Sequence, residues 1–566
     1  MSNVSGGQRP SIVWISTHDI NPDLGSYEGV WPGAEYARTP NLDALAARGV
    51  RFDNAFAAAP ICAPARSAII TGCFPTAIGT MHMRSKAVPP PEVRLLPEIF
   101  RQAGYYCTNN WFTDFQMDLP EIVFDDCSPT AHWRNRPTMD TPFFAMFHGM
   151  ATHESQIYLD DDAFAAATTH VSDADRHDPA LAPIPPYYPD DEVFRTAWAR
   201  YADLITEMDH WVGEIVADLE ADGLLENTIV VFWSDHGKGM PRAKRWPNES
   251  GLREPLIVSW PRSIAQGTST ADIVHTMDLA PTMLALAGLD IPDSIHGVPL
   301  FERDGTLRSQ PNEFTFGGRD RQGEAEDRSR TVRDQRYRYV RNYFPDKPAM
   351  LHTEYPDHLN TWAAFRKLAS DECQQRARGE RPSAMTDVQR AVVAQRKPAE
   401  ELYDIASDPH ETRNLATDPR RRPDLERLRD ALDSWIDRFG DLGVAPESEL
   451  EEQWRPAGMR RPTASPVVTV RDGMLEASCD TAGSLIGWTT DEPAAAATAK
   501  PIQRELGLPV ADGRAWHPYV APMTVESRMW VKAWRIGYEP SADVLVTAAE
   551  GADTGQRSEP EPVGFP

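Results

Sequence analysis

Cys62 stands in the run Pro60-Ile61-Cys62-Ala63-Pro64-Ala65-Arg66-Ser67-Ala68-Ile69-Ile70-Thr71-Gly72, a potential nucleophile with an arginine four residues on. Pro60 and Pro64 fix φ and lack N–H donors, so the chain around Cys62 is expected to be stiff and non-helical. From about Ala65 the residues suit a helix, with Ala68, Ile69 and Ile70 packing inward. A reactive group at Cys62 would then lie at a helix N-terminus, where backbone N–H groups and the dipole favour an anion, and Arg66 would add a fixed charge. The plainer alternative is a structural cysteine buried beside a turn.

Other polar groups follow apolar runs. Thr17, His18 and Asp19 come directly after residues 11–16, which read as a buried strand; Ser234-Asp235-His236-Gly237 comes after a second such strand, residues 228–233. Residues 142–147 and 255–260 supply two more strands, and Thr152-His153-Glu154 follows the first of these. Residues 197–225 carry helical spacing through Tyr201, Ile205, Met208, Val212, Ile215 and Leu219. Strands alternating with helices indicate an α/β domain with a largely parallel sheet, whose ligands bind beyond the carboxyl ends of the strands. The polar clusters sit there. Taken singly, Asp19 could be a turn cap, Asp235 and His236 a solvated loop, and His153 a packed core histidine.

The 566 residues exceed one core. We divide the chain into a catalytic α/β domain (1–310), a smaller α+β subdomain (311–445), a linker (446–465), an accessory β-sandwich-like domain (466–550) and a disordered tail (551–566). Residues 160–191 read as a surface insertion. The aromatic-rich accessory domain either offers a sugar-binding face or packs against the catalytic domain, and packing is the expectation.

Apolar content of 41% and charged content of 25% suit a globular enzyme, and a net charge of -27 excludes general nucleic-acid binding. Local basic stretches such as Arg242-Ala243-Lys244-Arg245 can still hold a small anion. The six cysteines show no paired metal spacing. Residues 1–10 have no basic stretch leading into an apolar one, and no segment is long enough to span a membrane. A cytoplasmic protein without membrane contact is therefore expected.

The run from Pro60 to Gly72 resembles the signature of type I sulfatases, within the alkaline-phosphatase-like superfamily. The resemblance extends over residues 10–440, through Ser11 to Asp19, Ser234 to Gly237, Pro142 to Glu154, Lys244 with Glu249 to Val258, and Glu401-Leu402-Tyr403-Asp404 with Asp408 to Leu415. Gly104 to Asn110 and Gly239 to Arg242 place it nearest the heparan N-sulfatase-like bacterial enzymes.

The resemblance implies an alkaline-phosphatase-like mixed sheet, largely parallel and flanked by helices. It implies that a formylglycine-generating enzyme converts Cys62 to an aldehyde whose hydrate attacks sulfur and then expels sulfate. It assigns Arg66 to the reacting group, His153 or Lys244 to the leaving atom, and Asp19, Asp235 and His236 to one divalent metal. The substrate would be a sulfate ester or sulfamate on a small molecule or glycan. Two departures stand out. His18-Asp19 replaces the usual pair of acids, so His18 would ligate through nitrogen and turn preference from Ca²⁺ towards Mn²⁺. Phe112 replaces a lysine, which implies an apolar portion of substrate near Trp111, Phe112 and Phe115. His82 is a further candidate neighbour of the site. Two alternatives remain at this stage: a phosphodiesterase or phosphonate monoester hydrolase, and a weakly catalytic protein that binds sulfated glycans.

Overall fold

The period-two burial of the strands decides the architecture. In the computed structural model of the chain, which describes residues 9–382, 385–493 and 512–547, Ser11–Thr17 (β1) lies between Phe143–His148 (β5) and Thr228–Ser234 (β6), parallel to both. Val13, Ile15, Phe143, Ala145, Phe147, Val230 and Phe232 face one core; Ile12, Trp14, Phe144, Met146, Ile229, Val231 and Trp233 face another. A strand buried on both faces has no need of polar alternation, which is why these read as continuous apolar runs.

Five further strands complete an eight-stranded sheet: Val50–Phe56 (β2), Tyr106–Asn110 (β3), Asp126–Ser128 (β4), Arg253–Ser259 (β7) and Thr268–His275 (β8), in the order β4-β3-β5-β1-β6-β7-β2-β8. Only β7 runs antiparallel to its neighbours, β6 and β2. The helix Glu192–Ala221 covers the first core with Tyr201, Leu204, Ile205, Met208 and Val212. The helices Cys62–Thr71, Leu96–Gln102 and Leu279–Leu286 cover the second.

A second, antiparallel sheet comprises Thr315–Arg319 (β9), Ser329–Arg333 (β10), Tyr337–Asn342 (β11) and Glu400–Asp404 (β12), and the helix Arg422–Phe439 presses Leu425, Leu428, Leu432 and Trp435 onto it. Two small sheets formed from residues 467–546 share the core of Leu475, Met529, Val531 and Val546. Their buried Trp516, Trp530 and Trp534 join Ile122 in the second core of the catalytic part, in line with packing rather than a free sugar-binding face. No helix among the described residues is long and apolar enough to cross a membrane.

Three local expectations are corrected. The helix at Cys62 begins at that residue, not near Ala65. Ile61 is extended (φ -156°) and its carbonyl accepts from Ala65 N, so Pro64 falls in the first turn, where its missing donor costs nothing. Residues 160–191 are no mere surface insertion, because Tyr187 and Tyr188 are buried in the first core. Residues 446–465 include the helix Glu447–Trp454, which has Leu450 to bury. The tail 551–566 lies outside the described residues.

Candidate functional site

The ends of β1, β5 and β6 and the start of the helix Cys62–Thr71 converge on one buried floor. Asp19 and Asp235 are fully buried, and so are His18, His236 and Arg66. Asp19 adopts a left-handed backbone (φ 54°), which an aspartate tolerates better than most residues and which turns its carboxylate back over the strand end. Its Oδ2 accepts from Lys244 Nζ and Glu154 N, both at 2.8 Å, while Oδ1 lies 3.3 Å from His236 Nε2. Asp235 Oδ1 accepts from Asp19 N at 3.2 Å, and its Oδ2 lies 3.1 Å from His18 Nδ1 and 3.4 Å from Arg66 Nη1. Cys62 Sγ is 3.2 Å from His236 Nε2. Because Gly237 O can only accept, the His236 Nδ1 that approaches it at 2.9 Å carries the proton, which leaves Nε2 as a lone pair facing Sγ and Asp19.

Glycines allow the segment after β6 to fold over this floor. A Cβ at Gly239 would lie 2.1 Å from Glu154 Cβ, and one at Gly251 would lie 1.9 Å from Trp246 O. The segment thereby lowers Lys244 and Arg245 beside the acids. Lys244 Nζ lies 3.0 Å from Glu154 Oε1, and Arg245 grips the same carboxylate with two bonds of 2.8 and 2.7 Å.

These pairs set the protonation states. Burial alone would raise the Asp19 carboxyl, but Lys244 and His236 hold it below the usual range. Burial likewise opposes the charges of Glu154 and Lys244; Arg245 and Lys244 keep Glu154 ionised, and Asp19 and Glu154 keep Lys244 protonated. Burial and then Lys244 push His153 down to about 4. Burial pushes the Cys62 thiol well up.

The structure thus brings His18, Asp19, Cys62, Arg66, His153, Asp235, His236 and Lys244 together. The rings of His18 and His153 are 5.7 Å apart. Phe112 lies over Arg66, 4.8 Å from ring centroid to guanidinium, and its ring meets that of His18 edge-on. Trp111 packs on Phe112, and His82 lies 3.9 Å from Glu447 Oε2. Above Cys62 opens a cleft of about 410 Å³ walled by Arg84, His153, Lys244, Arg245, Arg321, Gln322, Glu324 and Tyr355. Its lining does not include His82, Trp111 or Phe112.

Several functional residues went unread in the sequence. His148 Nδ1 accepts from Arg66 Nη2 at 2.7 Å, and its Nε2 donates to Asn109 Oδ1 at 2.7 Å, so a neutral imidazole orients the guanidinium. Burial, then Arg66, drives its pKa well down. Its signal was available: a histidine closing the apolar run of β5, as His18 follows β1. Glu154 and Arg245 were visible only as neighbours of His153 and Lys244.

One ligand atom each from His18, Asp19, Cys62 and Asp235 lies within 4.8 Å of the others. His18 Nε2 and Asp19 Oδ1 are buried without a hydrogen-bond partner, a costly state that a cation relieves. The acids Asp19, Glu154 and Asp235 are matched by Arg66, Lys244 and Arg245, so a divalent ion would leave the floor net positive and ready for an anion. The donor set of two carboxylates and an imidazole fits such an ion.

Residues 10–119 and 108–289 match the family model described as Sulfatase, and residues 241–355 match that described as N-sulphoglucosamine sulphohydrolase, C-terminal. The chain is 34% identical to an ulvan-active sulfatase of Formosa agariphila over 96% of this chain and 92% of that one. It is 28% identical to the human N-sulphoglucosamine sulphohydrolase over 77% and 92%. A solved structure of a protein with its substrate D-glucosamine-2-N,6-O-disulfate superposes with a TM-score of 0.53 at 18% identity, covering 76% of this chain and 98% of that one.

Chelation is expected to lower the melting temperature, and Mn²⁺ or Ca²⁺ to restore it. An ion at a hundred times its Kd contributes about 2.7 kcal/mol, and Asp19→Asn with Asp235→Asn should abolish the metal-induced shift in calorimetry. Glu154→Gln leaves Lys244 and Arg245 short of a counter-charge and should destabilise by about 3–5 kcal/mol, read by denaturant unfolding.

Proposed function

This chain belongs to the sulfatase family, the sulfuric ester hydrolases, and we propose that it hydrolyses a sulfate ester or sulfamate on a sulfated glycan, with Cys62 matured to formylglycine. Its fold is the alkaline-phosphatase-like one. The observation that carries the proposal is the setting of Cys62. The side chain heads a helix, 3.2 Å from His236, on a floor where Arg66, Lys244 and a cation pocket converge. As a thiol it would be protonated at neutral pH, because burial pushes its pKa well up, and a protonated thiol is a poor nucleophile. Hydrated formylglycine supplies a hydroxyl nucleophile and, in its second hydroxyl, a route to release sulfate. A divalent ion held by His18, Asp19 and Asp235, with His236 alongside, supplies charge withdrawal from sulfur. We assign Mn²⁺ or Ca²⁺ to it.

The remaining work falls to this chain's own side chains. Arg66, aimed by His148, and Lys244 draw charge from the sulfuryl oxygens. Lys244, held protonated by Asp19 and Glu154, donates a hydrogen bond to the leaving atom. His153 is neutral at pH 7, so it orients or accepts before it donates. His236 Nε2, unprotonated, takes the proton from the attacking hydroxyl. A sulfated glycan as substrate is supported by the relative named ulvan-active sulfatase and by the neighbour solved with D-glucosamine-2-N,6-O-disulfate.

The peptide mass across Cys62 should show formylglycine, and Cys62→Ala should remove sulfate release from sulfated glycans; full turnover by an unmodified thiol would sink the mechanism. Phe112→Lys is expected to shift turnover across a panel of sulfate esters and sulfamates towards more anionic members, and an unchanged preference would refute an apolar role for that ring.

A further inference from the structure

Two loops beside the cleft hold an unusual density of strained backbone. In residues 82–88, Arg84 (φ 58°) and Lys86 (φ 53°) are left-handed; in residues 111–118, Trp111 (φ 58°), Asp114 (φ 42°) and Gln116 (φ 67°) are too. None is glycine, so each conformation persists only because its surroundings impose it. Both loops reach the site. Arg84 walls the cleft, Phe112 covers the Arg66 guanidinium, and Thr113 O accepts from Arg66 Nε at 3.5 Å.

What imposes the strain is legible. Gln116 stitches the loops together: its Oε1 accepts from Arg84 N at 2.7 Å, its Nε2 donates to Ser85 Oγ at 2.9 Å, and its carbonyl accepts from Ala87 N at 3.0 Å. The stitched pair is then tied down from the C-terminal third of the chain. Arg455 Nη2 donates to Lys86 O at 3.2 Å in one loop and to Asp118 Oδ2 at 2.8 Å in the other. Gly537 N donates to Asp118 O at 3.0 Å, and Arg535 Nη2 donates to Pro89 O at 2.5 Å. Glu447, which opens the helix Glu447–Trp454, pairs with Arg321, which in turn donates to Met83 O at 2.9 Å.

We infer that residues 447–455 and 535–537 form a clamp on the catalytic cleft, with Arg455 as the positioning residue that locks the two strained loops and so fixes Arg66 and Arg84. A single guanidinium nitrogen bridging both loops suits this task, because its two N–H bonds, fixed in the guanidinium plane, hold the two acceptors in a set relation. The inference rests on the reading of Arg66 as a sulfuryl-binding group.

The test uses the full chain with Arg455→Ala, Arg455→Lys, Asp118→Asn, Phe112→Ala and the double variant Arg455→Ala/Phe112→Ala. Hydrogen exchange of peptides covering 82–88 and 111–118 is expected to quicken in Arg455→Ala and Asp118→Asn while the central strands keep their protection. On a small aryl sulfate, kcat should fall about tenfold to a hundredfold in Arg455→Ala, the scale of a small misplacement of a catalytic group, with KM changing less. Arg455→Lys should recover part of the loss. The double variant should be no slower than the worse single one, since both act through the same loop. Unchanged exchange, quickened exchange with unaltered kcat, or additive losses would each overturn the clamp. Absence of sulfate release by the unsubstituted protein would refute the functional reading instead, and the exchange experiment would still judge the clamp.

Discussion

Three carboxylates share a buried floor, and the rest of the site exists to keep them ionised there. Asp19, Asp235 and Glu154 would each protonate in such a place on their own, because removing a charge from water costs several kcal/mol in practice. Arg66, Lys244 and Arg245 supply the counter-charge, and they arrive from two separate elements. Arg66 comes from the helix that Cys62 begins, and the two others from the segment after β6. The sheet must therefore bring β1, β5 and β6 side by side, and that helix must start where it does. The topology is the means of assembling six buried charges.

That requirement explains features that look incidental singly. Glycine at 239 and 251 lets backbone pass where any side chain would collide, so that two cations descend onto Glu154. The left-handed Asp19 turns its carboxylate towards Lys244 and the Glu154 N–H. His148 and Phe112 enclose Arg66 from two sides, one accepting its N–H and the other covering its face. Where relatives implied by the sequence carry a lysine, Phe112 adds no charge to an already balanced floor, but it excludes water from Arg66 and so strengthens that residue's pull on an anion.

The sheet and the polar clusters at its strand ends were legible because buried strands leave continuous apolar runs and the polar residue after each run has one place to go. Cys62 and Arg66 were legible as a local pattern. His148 went unremarked because the apolar run ends at residue 147, whereas the strand runs one residue further and carries the histidine at its end. Glu154 and Arg245 form their pair 91 residues apart, and no local spacing records that. The start of the helix at Cys62 was misread because Pro64 weighs against a helix everywhere except in its first turn. The helix Glu447–Trp454 was lost among acidic and proline-rich neighbours, since its few apolar side chains find a surface only in the folded chain.

Cys62 is 5% exposed, at the base of the cleft beside the segment that carries Lys244, and it heads a helix wedged into the second core. A second protein could not grasp the run from Pro60 to Gly72 as an extended substrate without unmaking that helix and the sheet it covers. If Cys62 is matured as proposed, the converting enzyme would therefore have to reach it before β6 and the Lys244 segment close around it. The order of events in synthesis, with early strands emerging long before their later partners, would then become part of how the catalyst is made.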